Sequence, residues 1–246
     1  MVVSRAYMSK EFTADTQTLF EAGVHFGRSK SRRHPTASPF IFGTKQKSDL
    51  FDLEVTTTKF NAALAKVAEV AASGKQLLFV GGKNEVQNIL KTAAQKAGAP
   101  FVAGRWIGGT LTNFKQIRRR IDRMEKLTTE RDRGERTKYT KLERLMLDRE
   151  IEELEGRFGG LTDMRELPGA LFVIDGGHEF IAVEEARQMK IPVIGLLSSD
   201  CDFSAVAFPI PGNDSTLKSV RHVAQLVSDA YLGNKRAPMP KAPTGE

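Results

Sequence analysis

The chain has 246 residues, a mass of 27.2 kDa and a formal net charge of +7. This length suits one large domain or one domain with an appendage, and a hydrophobic content of 40% is too high for a disordered chain. No apolar run approaches the roughly 18 residues of a membrane span, and the first residues lack the apolar region of a signal peptide. With one cysteine, a disulfide framework is excluded. We therefore expect a globular, cytoplasmic protein.

The charge is distributed unevenly along the chain. The net charge is +5 for residues 1–47, +2 for 48–113, +3 for 114–157, −5 for 160–232 and +2 for the remainder. Clustered basic residues indicate a surface that binds a polyanion. The acidic segment predicts a second face, turned away from phosphate, where protein neighbours bind.

Short apolar runs alternate with helical patterns. The runs at 77–80, 170–174, 193–197 and 206–210, with a shorter one at 101–103, are typical of buried parallel strands. Helical patterns cover 57–73, 84–97, 180–190 and 214–232. Gly74 and Gly98 are predicted to end their helices in the left-handed conformation. Asn213 or Asp214 is the predicted N-cap of the last helix. The pattern predicts an α/β fold, a parallel sheet with helices on both faces.

Residues 114–157 interrupt this alternation, because 25 of these 44 residues are charged. Two narrow apolar seams run through the segment at helical spacing, formed by Ile117, Ile121, Met124 and Leu127 and then by Leu147, Ile151, Leu154 and Phe158. They predict an inserted antiparallel helical hairpin of the coiled-coil type. The α/β domain then comprises residues 1–113 and 158–232, and residues 233–246 form a flexible tail.

Evidence for a cofactor or for catalysis is weak. The turns at Gly81 and Gly176 follow apolar strands, but neither matches a dinucleotide or P-loop motif. Four polar side chains near strand ends could ligate a metal ion, namely Asp175, His178, Asp200 and Asp202, although polar loops that cap helices have the same composition. The sequence predicts no catalytic residue, no resident metal and no cofactor.

Two basic segments are the strongest functional signals. The first contains Arg28, Lys30, Arg32, Arg33, His34, Lys45 and Lys47, and the second contains Arg105, Trp106, Asn113, Lys115, Arg118, Arg119 and Arg120. Arginine and lysine neutralise phosphates, asparagine bonds phosphate and sugar oxygens, and an aromatic ring can stack on a base. All fourteen residues are predicted RNA contacts.

Five sequence blocks, in order, resemble the bacterial ribosomal protein S2 family. They are AGVHFG at 22–27, PFIFG at 39–43, GRWIGGTLTNF at 104–114, LPGALFVID at 167–175 and IPGND at 210–214. The resemblance covers residues 18–232. It implies a flavodoxin-like fold with an inserted hairpin and no enzymatic activity.

The resemblance also implies a function and partners. The protein would be a structural constituent of the small ribosomal subunit, bound to 16S ribosomal RNA at the head–body junction. It would contact neighbouring ribosomal proteins and help to dock the large messenger-binding protein, as one copy and not a homo-oligomer. Two alternatives remain open from the residues themselves. One is a Rossmann-type enzyme that binds a nucleotide or sugar phosphate at Gly81 and Gly176, and the other is an adaptor whose hairpin holds a protein partner.

Overall fold

The computed structural model describes residues 12–235. In chain order the elements are α1 (Thr16–Glu21), β1 (Phe26–Ser29), β2 (Ile41–Lys45), β3 (Ser48–Phe51), α2 (Leu53–Ala72), β4 (Leu77–Val80), α3 (Asn84–Ala97), β5 (Phe101–Val102), α4 (Phe114–Asp132), α5 (Lys141–Phe158), β6 (Ala170–Ile174), α6 (Phe180–Gln188), β7 (Val193–Leu197), β8 (Phe208–Pro211) and α7 (Leu217–Asn234). Short 3-10 helices lie at Lys30–Arg32, Pro35–Phe40, Glu135–Lys138, Gly159–Leu161 and Phe203–Ala205.

The central sheet has five parallel strands in the order β5-β4-β6-β7-β8. Numbered within the sheet this order is 2-1-3-4-5, the flavodoxin-like arrangement, in which the strand order reverses between the first and third strands. The predicted α/β fold class is therefore confirmed. The last strand begins two residues later and ends one residue later than predicted, because Val206 ends the short 3-10 helix before it.

Alternate residues of each central strand face two separate apolar cores. On β4, Leu77 and Phe79 pack against the core that contains α2, α3 and α7, while Leu78 and Val80 pack against the core that contains α4 and α6. This alternation follows from the two-residue repeat of a strand. It places helices on both faces of the sheet, as the sequence predicts.

A second sheet occupies residues 26–51, a region that the sequence patterns left as a basic loop. Its three antiparallel strands have the order β1-β3-β2. Ala37 and Phe51 bury this segment in the same core as Trp106 and Ile117. Both basic segments of the sequence are therefore anchored on one side of the central sheet.

The highly charged insertion consists of α4 and α5. All four predicted seam residues of α4 are buried, and on α5 Ile151 and Phe158 are buried. Between the helices Arg136 donates to the carbonyl of Leu127 at 2.7 Å and to Asp148 at 2.6 Å. The division of the chain into an α/β domain (1–113 and 158–232) and an inserted hairpin (114–157) stays a prediction.

The helix ends differ in part from those predicted. Gly74 and Gly98 do adopt left-handed φ angles of 74° and 56°. The last helix, however, has Thr216 as N-cap, because the Asn213 side chain instead accepts hydrogen bonds from the amides of Ser215 and Thr216. The same helix extends through Asn234, so 233–234 are helical and not part of a tail. Residues 236–246 of the predicted tail lie outside the described residues.

Candidate nucleic-acid interface

A single buried carboxylate shapes the loop that contains Arg105 and Trp106. Glu185 on α6 is 6% exposed, and one of its oxygens accepts hydrogen bonds from the indole N–H of Trp106 at 3.0 Å and the amide of Gly109 at 2.8 Å. Its other oxygen accepts from the amides of Leu111 and Thr112 and from the Thr112 hydroxyl, at 3.0 to 3.2 Å. Five donors from one loop therefore converge on one side chain.

This arrangement changes the role expected of Trp106. The ring is 5% exposed and belongs to the core beneath the loop. A nucleobase cannot stack on a buried ring, so the structure assigns Trp106 to packing and to loop geometry. Arg105 and Asn113, at the two ends of the same loop, are exposed.

The segment 24–36 crosses the carboxyl edge of the central sheet. The amide of Arg28 donates to the hydroxyl of Ser199 at 2.9 Å, and the amide of His34 donates to the carbonyl of Ser199 at 2.8 Å. The amide of Asn213 donates to the carbonyl of Val24 at 2.9 Å. The first basic segment is thus fixed to the loops that follow β7 and β8.

Two arginines of this segment are engaged within the protein. Arg33 forms a two-pronged ion pair with Asp49, a residue that is completely buried. This hydrogen-bonded partner raises the pKa of Arg33, and the same pair holds the pKa of Asp49 below its ordinary range. The Arg28 guanidinium donates to Asp214 at 3.2 Å and lies 3.6 Å from Asp200.

Two further predicted contacts also have internal partners. The Arg118 guanidinium donates hydrogen bonds of 2.8 Å to Asp122, to Glu125 and to the carbonyl of Thr162. The His34 ring bonds the hydroxyl of Thr36 at 2.8 Å. These side chains stabilise the fold, and their availability to a ligand is reduced accordingly.

The remaining predicted contacts project into solvent. We call this set the basic face, and it comprises the exposed residues Lys30, Arg32, Lys45, Lys47, Arg105, Asn113, Lys115, Arg119 and Arg120. Lys47 lies in the turn between β2 and β3, where Gln46 and Lys47 adopt φ angles of 49° and 66°. Such left-handed conformations are unfavourable for residues other than glycine. The turn therefore presents a lysine at a position where glycine would fold more easily.

A carboxylate lies in the crevice that binds nucleotides in flavodoxin-like proteins, where a cavity of about 470 Å³ is lined by Gly82, His178 and Glu179. The crevice lies between the loops after β4 and β6, where the strand order reverses. The Gly82 amide, which would face a phosphate, instead donates to the carboxylate of Glu179 at 2.9 Å. A carboxylate at this position repels an anionic ligand, so the geometry does not support a nucleotide at Gly81 and Gly176.

An ion cluster lies beside this crevice. The ammonium of Lys83 pairs with Asp175 and, at 3.0 Å, with Asp214, and both carboxylates are buried. Burial lowers the pKa of Lys83 by itself, but the two carboxylates outweigh burial and raise it. Burial and the neighbouring charge of Asp175 raise the pKa of Asp214.

The four candidate metal ligands of the sequence do not converge. His178 bonds Glu179 at 2.6 Å, Asp200 faces Arg28, and Asp202 accepts from the Ser204 amide at 2.9 Å at the start of a short helix. Asp175 instead groups with Cys201 and Asp214, whose potential ligand atoms all lie within 4.8 Å of one another. The Lys83 ammonium already neutralises this group, and burial raises the pKa of Cys201 to about 12, so that the thiol stays protonated.

Three residues that shape the site were missed in the sequence, namely Asp49, Lys83 and Glu185. The partners of Lys83 and Glu185 lie more than 70 positions away along the chain, and Asp49 pairs with Arg33 at a distance of 16 positions, so no local motif marks them. One signal was available for Glu185, because it follows the buried Ala182 by three residues and so lies on the apolar face of α6.

The prediction of an acidic face formed by residues 160–232 is wrong. Of the ten acidic residues in this segment, four are buried, namely Asp175, Glu179, Glu185 and Asp214. They neutralise internal lysine, arginine and amide groups, whereas all five basic residues of the segment are exposed. The surface of the segment is consequently close to neutral.

The sheet order defines an α/β protein of the flavodoxin-like class, and Glu179 occupies the Gly82 amide that would face a nucleotide phosphate. Among residues 12–235, no helix is both long and apolar enough to cross a membrane. Residues 19–233 match the family model described as Ribosomal protein S2. The chain therefore belongs to the ribosomal protein S2 family, a family of ribosomal proteins without enzymatic activity.

Several curated relatives are similar over most of their length. A protein of Saccharophagus degradans is 41% identical over 220 residues, covering 89% of this chain and 89% of its own. Proteins of Sorangium cellulosum and a Roseiflexus species are each 40% identical, covering 90% and 88% of this chain and 80% and 82% of their own. All three are named small ribosomal subunit protein uS2.

Proposed function

We propose that this protein is a structural component of the small ribosomal subunit and binds 16S ribosomal RNA through the basic face. Its family and its relatives' names support the first part. The observation that carries the second is that two exposed basic segments are anchored in the same core on one side of the sheet. A surface of this kind is the electrostatic footprint expected for a polyanion.

The internal contacts suit the basic face to binding without large rearrangement. Glu185 fixes the loop 105–113 through five hydrogen bonds, and Arg33 fixes the segment before β2 through Asp49. Fixing a loop before binding reduces the conformational entropy that association would otherwise cost. Arg33 and Glu185 therefore contribute by positioning Arg32 and Arg105, while the exposed arginines contact phosphate.

The finer position follows the family resemblance. We place the protein at the head–body junction of the subunit, in the cytoplasm, as one copy in contact with neighbouring ribosomal proteins. In this position it supports docking of the large messenger-binding protein. Residues 160–232 have a nearly neutral surface, so they do not repel RNA strongly. Charge alone therefore does not identify the side of the protein that binds protein neighbours.

Charge reversal of the basic face tests the proposal. We would prepare Arg32→Glu, Arg105→Glu and Arg120→Glu, all at exposed positions, with Arg221→Glu on α7 as the matched control. Arg33 is avoided because its reversal would leave two carboxylates facing each other at Asp49. Each variant is mixed with small subunits that lack the protein, and the fraction that co-sediments is measured at low and raised salt.

We expect each of the three variants to incorporate less well than the control at low salt and to show a shallower dependence of affinity on salt, because fewer phosphate contacts release fewer counterions. Wild-type incorporation of all three variants, with an unchanged dependence on salt, would refute RNA binding by the basic face. Calorimetric titration with nucleotides and sugar phosphates addresses the enzyme alternative, and we expect no heat of binding because Glu179 occupies the Gly82 amide.

A further inference from the structure

The chain approaches α1 along the outside of α2. The hydroxyls of Thr16 and Thr57 lie 3.1 Å apart, and the amide of Ala14 donates to the side chain of Asn61 at 2.7 Å. Two residues of this segment therefore correspond to four residues of α2. Four helical residues rise about 6 Å, which is close to the length of two residues of extended chain. The segment before α1 thus runs extended and antiparallel to α2.

Side chains of this segment alternate between the protein and solvent. Phe12, Ala14 and Thr16 are buried or half-buried, whereas Thr13 and Asp15 are exposed. Phe12 packs against the core that contains α2, α3 and α7. Even-numbered residues therefore face the protein, as the two-residue repeat of an extended chain requires.

A groove between α2 and α7 continues beyond Phe12 in the same direction. Its volume is about 530 Å³, and its apolar lining includes Phe12 itself, Ala65, Ala68 and Ala72 of α2 and Ala230 of α7. Ala65 and Ala72 are exposed along it. From residue 65 to residue 72 the groove extends about 10 Å, which three or four residues of extended chain span. The groove therefore has the direction and the length of the residues that immediately precede Phe12.

We propose that residues 8–11, which lie outside the described part of the chain, bind in this groove as a continuation of the extended segment. Two residues for every four of α2 place Lys10 near Ala68 and Met8 near Ala72. Both are even-numbered and face the groove, and the Met8 side chain fills the space over the alanines. Burial of this apolar side chain favours the bound state.

Charge does not have to contribute to this contact. Glu69, at the rim of the groove, already pairs with Lys66 at 2.8 Å. The apolar contact of Met8 and the direction set by Phe12 are sufficient. The family match starts at residue 19, so the segment lies ahead of the matched region. The contact is also independent of RNA binding, because the basic face is anchored in the other core, on the opposite side of the central sheet.

Two other occupants fit the groove less well. The chain after α7 begins against the end of α3 and not against α2, because the Lys235 ammonium donates to the carbonyl of Gly98 at 3.0 Å. A second copy of the protein would compete with residues that are already tethered at the groove through Phe12. A short tether gives an effective concentration in the millimolar range, so the tethered segment binds first.

Disulfide trapping in the free, full-length protein tests the register. One variant carries Met8→Cys with Ala72→Cys, and the control carries Ser9→Cys with Ala72→Cys. Oxidised glutathione accepts the two electrons and two protons of the thiol pair, and intact mass spectrometry follows the loss of two hydrogens. The native Cys201 is buried, and burial raises the pKa of its thiol to about 12, so it does not exchange.

We expect the Met8 pair to oxidise about tenfold faster than the Ser9 pair, because the Cβ of residue 9 points away from α2. Equal rates would show that the segment has no fixed register on α2 and would overturn the proposal. Slow oxidation of both pairs would also overturn it, because position 8 then lies away from position 72. Neither result affects the basic face, whose test is co-sedimentation with the small subunit.

A pair of single substitutions tests whether the contact stabilises the protein. Met8→Ser removes the apolar side chain from the groove, whereas Tyr7→Ser changes an odd-numbered position that faces solvent. Both positions precede the described core, so both variants should fold. We expect the melting temperature to fall by about 2 to 4 °C for Met8→Ser and to stay unchanged for Tyr7→Ser. Equal melting temperatures for the two variants would overturn the proposal.

Discussion

Replacing Glu185 with glutamine removes the charge that holds loop 105–113. Glutamine keeps one carbonyl oxygen, which can still accept from Trp106 and Gly109. Its amide nitrogen, a donor, then faces the amides of Leu111 and Thr112, which are also donors. The buried amide of Leu111 and the partly buried amide of Thr112 lose their acceptor, at about 1 to 3 kcal/mol each, with the lower value for Thr112. We therefore expect the free energy of unfolding to fall by roughly 2 to 5 kcal/mol.

Denaturant unfolding measures the loss of stability, and the fluorescence of Trp106 reports on the loop, because the chain has one tryptophan. In Glu185→Gln the emission should shift to longer wavelength and become easier to quench with iodide. Arg187→Gln on the same helix is an exposed control and should change neither signal. A loss below 1 kcal/mol with unchanged Trp106 emission would refute the role assigned to Glu185.

The same carboxylate predicts a pH dependence of stability. Burial raises the pKa of Glu185, but the hydrogen bonds from Trp106 and the loop amides outweigh burial and hold its pKa below the ordinary value of 4.5. Its stabilisation is therefore complete above pH 4.5 and is lost as the pH falls through the lower pKa of the folded state. Glu185→Gln should lack this contribution, so its stability should fall less steeply below pH 4.5 than that of the wild type.

Three further substitutions give distinct expected outcomes. Lys47→Gly relieves a left-handed residue at the β2–β3 turn and should raise the free energy of unfolding by up to about 1 kcal/mol while weakening RNA binding; stronger binding would contradict a phosphate contact by Lys47. Arg33→Met leaves the buried carboxylate of Asp49 unpaired and should destabilise the protein by about 3 to 5 kcal/mol in denaturant unfolding, with partial recovery when Asp49→Asn is added; no recovery would argue against the ion pair as the cause. Gly82→Ala places a methyl group 2.7 Å from the Glu179 carboxylate and 2.8 Å from the Gly104 carbonyl, and should lower the free energy of unfolding by about 1 to 3 kcal/mol; an unchanged melting temperature would contradict close packing at Gly82.

The central sheet was predictable because its strands are buried on both faces. Strands such as Leu77–Val80 and Ala170–Ile174 are continuous apolar runs with no competing pattern, and their bounds were predicted correctly. Helix α3 also agreed with its pattern, since Gly98 ends it in a left-handed conformation. Local chemistry specifies these elements almost completely.

The second sheet could not be predicted from apolar runs, because its strands are not buried on both faces. Its strands are four or five residues long and only partly buried, so they show no long apolar run. The turn at Gln46 and Lys47 contains neither glycine nor asparagine, although both residues have positive φ angles. Tertiary packing of Phe51 and Ala37 against the second core holds this sheet in place.

Charge counted along the sequence located the basic segments but not the acidic ones. Exposed lysines such as Lys45 and Lys115 remain at the surface, where a count along the chain is informative. Glu185 and Asp214 are buried because they accept hydrogen bonds or ion pairs from residues more than 70 positions away. Sequence composition cannot distinguish such a carboxylate from a solvated one.

The most direct measurement is ultraviolet crosslinking of RNA to protein in assembled small subunits, with the linked peptides identified by mass spectrometry. We expect the RNA-linked residues to fall within 30–47 and 105–120, at exposed positions such as Arg32, Arg105 and Arg120. RNA linkages concentrated instead in 160–232 or on the outer side of α5, with none on the basic face, would contradict RNA binding through this surface.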